Sequence, residues 1–233
     1  MPEEPTLEEL KAANETLREF VAVAAHELRG PMAAILGYAS TMRKHWDRFP
    51  DEEKVEFLGI IERRSRYLSR LLDSLLTLSK IEAGALEVRP EAVKVAEAIE
   101  QALDDVADRS TVEVKAADDL HVMSDPDHLQ RIIVNYLRNA GRYGEPPIVV
   151  TAVEDGDDVT IIVADQGAGI PEAFASRLFD PFARATTDDA EKGTGLGLSI
   201  VRGLAQANDG EVWHEPNEPR GARFGVRLPR ASA

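Results

Sequence analysis

From Leu7 to Gly84 the apolar residues recur at threes and fours, the period of a helix with one buried face, with a single interruption at Arg48-Phe49-Pro50. The first helix is predicted from the N-cap residue Thr6 to about Trp46, behind a frayed residue 1–6 tail. Leu7, Leu10, Leu17, Val21 and Ala24 form a broken heptad, so residues 1–20 read as a coiled-coil-like lead helix, or simply as the first turns of a bundle helix. Phe20, Val23, Leu28, Met32, Ile35 and Leu36 carry the stripe onward. The second helix is predicted to be capped by Asp51, with Glu52 and Glu53 near its positive end and Gly84 as its stop. It bears Phe57, Leu58, Ile61, Leu68, Leu71, Leu72, Leu75, Leu78 and Ile81, a stripe wider than one antiparallel partner covers. Two such hairpins joined in a four-helix bundle would cover it, which predicts a homodimer.

At Arg89-Pro90 the texture changes to short β-rich runs alternating with helices. Strands are predicted at 111–114, 120–124, 148–153 and 159–164, helices at 92–107 and 126–143, and a final hairpin at 211–214 with 223–228. That order predicts an α/β sandwich, one sheet covered by helices on one face. The expected organisation is a lead helix over 1–20, a helical hairpin over 7–86, a linker over 87–92 and an α/β domain over 93–233.

Composition narrows the function. The 233 residues include no cysteine, which excludes disulfides, thiolate metal sites and cysteine nucleophiles. A formal charge of −15 argues against nucleic acid or an anionic membrane surface as main partner. No apolar run reaches the roughly 20 residues of a membrane span, and the acidic start MPEEPTLEEL lacks the core of an export signal, which predicts a cytoplasmic location.

Within the first helix, His26 lies off the apolar stripe and beside Glu27, with Pro31 following. Proline removes a backbone donor, so the helix is expected to loosen or bend just after His26. An imidazole facing solvent beside a carboxylate can act as a nucleophile whose proton the carboxylate takes. A lone exposed His is more often a solvated surface residue, and the sequence His-Glu-Leu-Arg-Gly-Pro is what raises its standing.

Four clusters mark the second domain. Asn135 and Asn139 are one helical turn apart, so two amide oxygens share a face and suit a Mg²⁺ carrying nucleotide phosphates. Arg142 can meet a phosphate and Tyr143 can cover a base or ribose; either asparagine alone reads equally well as surface filler. Asp165, with Gly167 and Gly169, follows an apolar strand, where a carboxylate can accept from the adenine amine and glycines let backbone come close. Phe179 and Phe182 flank Pro181, with Arg184 in reach of a terminal phosphate, although core packing explains the aromatics as well. Gly193, Thr194, Gly195, Leu196 and Gly197 run into an apolar helix, and amides at a helix start bind anions. The spacing is neither a Walker A loop nor a dinucleotide fingerprint. The polar stretch Ala185 to Lys192 before it reads as a lid.

The His26 box resembles the phospho-acceptor box of the sensor histidine kinases. The ordered set Asn-x-x-x-Asn, Asp-x-Gly-x-Gly, Phe-x-x-Phe and Gly-x-Gly-x-Gly resembles the Bergerat (GHKL) ATP-binding domain of histidine kinases, gyrase and heat-shock chaperone ATPases. The resemblance covers about residues 7 to 230. It implies ATP and Mg²⁺ as cofactors, a γ-phosphoryl transfer to His26, and a second transfer to an Asp of a response-regulator receiver domain. It further implies that Glu27 takes the imidazole proton, Asn139 and Asn135 hold magnesium, Asp165 reads adenine, and Arg142, Arg184 and the last glycines hold phosphates. Two alternatives stand beside it: a degenerate kinase acting as an ATP-binding scaffold, and a gyrase-like clamp. The clamp needs a catalytic glutamate where this chain has Asn135. One departure concerns Gly30, where the family usually has Thr or Asn that positions water for dephosphorylating the regulator; weak phosphatase activity is expected.

Overall fold

The structure, a computed structural model, describes residues 6–106, 109–117, 119–184 and 193–231, with backbone alone for residues 7–17 and 19. The expectations for the frayed 1–5 segment, for the side chains of Leu7, Leu10 and Leu17, and for the 185–192 lid lie outside the described residues. The chain divides into two units, residues 1–76 and 77–233.

The first unit is a hairpin of α1 (Leu7–His45) and the body of α2 (Asp51–Glu82), joined by a 3₁₀ turn at Trp46–Arg48. Tyr38 meets Phe57 with ring centroids 5.2 Å apart, and Tyr67 reaches Glu27 at 3.3 Å, so the two helices run antiparallel. Ala24, Met42 and Leu71 are buried in it. Pro31 is buried within α1 and does not end the helix. Asp51 is the first residue of α2 rather than its cap, because the Pro50 carbonyl already accepts from the Lys54 amide at 3.2 Å. There the Asp51 carboxylate accepts from Lys54 at 2.9 Å, which holds its pKa below the ordinary value. Gly84 closes α2 with φ +60° while the Ala85 amide bonds the Lys80 carbonyl, as a helix stop requires. One hairpin leaves a large apolar stripe uncovered: Leu36 is 71% and Val55 69% exposed, and Val21, Met32, Leu58, Leu72 and Leu76 are also exposed.

The second unit holds a five-stranded sheet in the order β2-β4-β5-β7-β6, formed by β2 (Val112–Ala116), β4 (Ile148–Asp155), β5 (Asp158–Ala164), β6 (Glu211–Pro216) and β7 (Ala222–Pro229). β2 pairs with β4 in parallel and the other pairs are antiparallel. A separate ribbon pairs β1 (Glu91–Lys94) with β3 (His121–Ser124). The helix expected over 92–107 is corrected here: residues 91–94 are strand, and α3 spans Val95–Asp104. Four ladder pairs to β3 outweigh the helical spacing of the apolar residues.

The helix α4 (Pro126–Tyr143) carries the Asn135 cluster, α6 (Gly197–Ala207) begins at the last glycine of the fourth cluster, and a single-turn α5 (Glu172–Ala175) lies between them in the chain. Ile132, Ile133, Leu137, Ile200, Val201 and Leu204 are buried on α4 and α6. Tyr136 is fully buried and donates to the Gly225 carbonyl at 2.9 Å, which ties α4 to β7. The end of α2 belongs to this unit: Arg131 donates to Thr77 at 2.8 Å, and a Cβ on Gly203 would lie 2.6 Å from Ile81.

Candidate functional site

α4 begins where the Asp125 carboxylate accepts from the amides of Asp127 and His128, with Pro126 at the first helical position, where no backbone donor is needed. From that start the helical period puts Asn135 and Asn139 on one face and Arg142 and Tyr143 in the last turn. The Asn135 amide nitrogen donates to the Arg131 carbonyl at 2.8 Å, and its oxygen faces the start of α6. A Cβ placed on Gly197 would lie 2.8 Å from that oxygen.

The other clusters converge on the same edge of the unit. A Cβ on Gly193 would lie 2.7 Å from an Arg142 guanidinium nitrogen and 3.2 Å from the Tyr143 hydroxyl. Gly195, at φ +69°, lies against the backbone of Phe182, which itself sits at φ +60°. Positive φ is uncommon for a bulky residue, and such strain gathers at functional loops. Thr194 accepts from the Leu196 amide at 3.3 Å, shaping the turn that enters α6. Arg184 is half-buried at the end of the Phe182 loop.

Asp165 follows β5 and is buried. Its Oδ1 accepts from the Gly167 amide at 2.7 Å. Burial pushes its carboxyl above the ordinary range, against the opposing pull of the Gly167 and Ala222 backbone. The segment abuts the end of α4, since a Cβ on Gly167 would lie 2.8 Å from the Tyr143 carbonyl. Gly169, at φ +75°, approaches the Gly221 carbonyl. Asn135, Arg142, Tyr143, Asp165, Phe182 and the glycine turn thus form one contiguous neighbourhood, with Asn139 one turn along α4. What they offer is backbone amides at a helix start, two amide side chains and a guanidinium, which is a set suited to phosphates.

In the first unit, His26 is exposed on α1 and Glu27 is half-buried. The Tyr67 hydroxyl donates to Glu27 Oε2 at 3.3 Å across the hairpin. Pro31 has no N–H to give the Glu27 carbonyl, so the helix bond that would stiffen this turn is absent.

The chain matches two protein-family models: the His Kinase A (phospho-acceptor) domain over residues 16–84, and the Histidine kinase-, DNA gyrase B-, and HSP90-like ATPase over residues 124–232. The chain therefore carries both the phospho-acceptor domain and the ATPase domain, and its relatives are sensor histidine kinases. Among its relatives, the circadian input-output histidine kinase CikA of Synechococcus elongatus is 32% identical, over 94% of this chain and 31% of that one. The histidine kinase ThkA, solved in complex with the response regulator protein TrrA, superposes with a TM-score of 0.70 at 25% identity, covering 95% of this chain and 64% of that one. The histidine kinase AdeS of Acinetobacter baumannii shares the fold, with a TM-score of 0.71 at 23% identity over 89% of this chain and 98% of that one. The chain spans 31% to 44% of the length of the first curated relatives it matches.

The two matched ranges contain every candidate site residue named from the sequence. Others escaped that reading. Gly144 and Gly221 press on Asp165, Asn217 donates to the Asp165 carbonyl at 2.7 Å, and Tyr67 holds Glu27. Only Gly144, directly after the Arg142-Tyr143 pair, carried a local signal.

Among the described residues no group of three or more His, Cys, Asp or Glu is placed to hold a metal, and no helix is long and apolar enough to cross a membrane. Any cation here would rest on amide and phosphate oxygens. Asn135 Oδ1 turned toward the glycine turn fits that demand.

Proposed function

We propose that the chain is an ATP-dependent protein histidine kinase that phosphorylates its own His26 and passes the phosphoryl group to an Asp of a response-regulator receiver domain. The observation that carries this reading is the convergence of Asn135, Arg142, Tyr143, Asp165 and the glycine turn in one neighbourhood of a chain that also bears His26 beside Glu27. In the first step an imidazole nitrogen of His26 attacks the γ-phosphorus. An N–P bond forms, the bond to the bridging oxygen breaks, and ADP leaves. Glu27, which accepts a hydrogen bond from Tyr67, takes the imidazole proton. Asp165 accepts from the adenine amine, while Arg142, Arg184 and the amides from Gly193 to Gly197 hold phosphates. A bound Mg²⁺, held by Asn139 and Asn135, would supply charge neutralisation of the triphosphate. Positioning and charge carry most of such a transfer, which suits Asn135, an amide that cannot take a proton from water.

The exposed apolar stripe of the hairpin supports a homodimer, whose second copy completes a four-helix bundle. Light scattering that returned a monomer would refute it. A cytoplasmic workplace follows from the use of ATP and a receiver domain.

Incubation with ATP labelled at the γ-position tests the reading. The wild type is expected to acquire an acid-labile, alkali-stable label, and His26→Gln to lose it while still binding ATP. Label retained in His26→Gln would sink the assignment of His26. ATP binding without any label would instead favour the degenerate scaffold.

Gly30 supports weak phosphatase activity toward the regulator. A Cβ there would meet nothing within 4 Å, so Gly30→Thr adds a side chain without a clash. That variant is expected to speed dephosphorylation of the regulator at least about tenfold, less than the roughly hundredfold or more that a fully positioned proton-handling group contributes. Fast dephosphorylation by the wild type, unchanged in Gly30→Ala, would refute this account.

A further inference from the structure

A buried polar cluster lies at the ends of α4 and α6 remote from the glycine turn, and no step of the proposed reaction uses it. Ser124, Asp125, His128 and Asn208 are all buried there. Asn208, just past the end of α6, accepts through Oδ1 from the Asp125 amide at 2.8 Å and from the Ser124 hydroxyl at 3.1 Å. Its Nδ2 donates to the Leu204 carbonyl at 2.7 Å and faces His128 Nδ1 at 3.1 Å. Every hydrogen-bonding position of the amide is used. A backbone amide can only donate and a carbonyl can only accept, so Asp125 and Leu204 fix which way the side chain points. His128 Nδ1 must therefore accept, which makes the ring neutral with its proton on Nε2.

The antiparallel helices α4 and α6 are thus joined at two places. Asn135 meets Gly197 at one, and His128 meets Asn208 at the other. We propose that Asn208 is a positioning residue for nucleotide binding, which through the His128 imidazole holds the end of α6 on the start of α4 and so keeps the glycine turn against Asn135. This rests on the reading of that turn as the phosphate cradle.

The tie is sensitive to acid. A proton added at Nδ1 sets one N–H against another, and the bond to Asn208 is lost. Burial holds the His128 ring below its ordinary value of 6.5; Asp125 pulls the other way, Arg131 adds to the lowering, and Asp127 again opposes it. These are the charges that act on the ring. A histidine lowered in the folded state contributes stability that is complete above its unfolded value and lost as pH falls through the folded one.

The test measures ATP affinity calorimetrically on the full chain from about pH 7.5 to about pH 5.5, the range in which imidazole changes charge. Wild type is compared with His128→Gln, whose amide oxygen can accept from Asn208 and does not titrate. ATP and Asp165 titrate alike in both proteins. Scaled to its own value at about pH 7.5, the wild-type affinity is expected to fall about tenfold further than that of the variant, the equivalent of one pKa unit of coupling. Superimposable scaled profiles would overturn the proposal while leaving the nucleotide reading intact. Absence of wild-type binding at neutral pH would refute that reading, and the proposal with it. A nitrogen NMR spectrum of the wild type gives a check that needs no variant: His128 with its proton on Nδ1 at neutral pH also overturns the proposal.

Discussion

Gly221→Ala is expected to lower the melting temperature by roughly 6–12 °C and to abolish ATP binding. The residue sits at φ +109°, and a Cβ there would lie 1.9 Å from the Asp165 carbonyl oxygen and 2.7 Å from its carbon. Both obstacles are backbone, so no rotamer change relieves them. Nor can the backbone easily shift. The Asp165 amide donates to the Ala222 carbonyl at 3.0 Å, the Asn217 amide to the Gly221 carbonyl at 3.0 Å, and Asn217 Nδ2 to the Asp165 carbonyl at 2.7 Å. Backbone strain of this kind costs about 1–3 kcal/mol, and the overlap adds to it, so about 3 kcal/mol is a conservative total. For a unit of this size each kcal/mol lowers the melting temperature by roughly 2–4 °C. Movement of Asp165 carries the binding loss. Thermal unfolding followed by circular dichroism, with calorimetry for ATP, reads both effects. A variant that melts and binds like the wild type would refute the geometry.

Asp165→Asn is expected to weaken ATP binding roughly tenfold to a hundredfold with little change in stability. The substitution keeps the shape of the side chain, and its amide oxygen can still accept from the Gly167 amide, now bonded to Asp165 at 2.7 Å. The other position becomes an NH₂ facing the amine of adenine, donor against donor. A hydrogen bond to a charged group contributes about 1.5–3 kcal/mol, which sets the range. Guanine nucleotide, which offers an acceptor at that position, is expected to lose less. Equal loss for both nucleotides would show that Asp165 does not read the base.

The helix α4 was legible from Pro126 to Tyr143 because capping, proline placement and helical spacing agree within one short segment. The strand β1 was not legible. Ala92, Val95, Ala98, Ile99, Ala102 and Leu103 keep helical spacing, and only the ladder to β3 turns residues 91–94 into strand. The Asp51 cap missed by one position, the usual uncertainty of helix ends. Of the candidate site, the residues named in the four clusters needed only chemical type and local order. Their supports, Tyr67, Asn208, Gly221 and Asn217, act on residues far away in the chain, and nothing in their own neighbourhoods marks them.

From the chain alone came the helix period of the hairpin, the glycines able to take positive φ, the type of each reactive side chain and the surplus of apolar stripe. All of these depend on covalent structure and near neighbours. Tertiary structure alone decided that the Asn135 amide meets Gly197, that Asp165 is wedged against Gly221, and that the His128 ring must be neutral to accept from Asn208. Contacts between segments distant in sequence depend on which faces the fold buries together, and burial changes what a carboxyl or an imidazole will do with a proton.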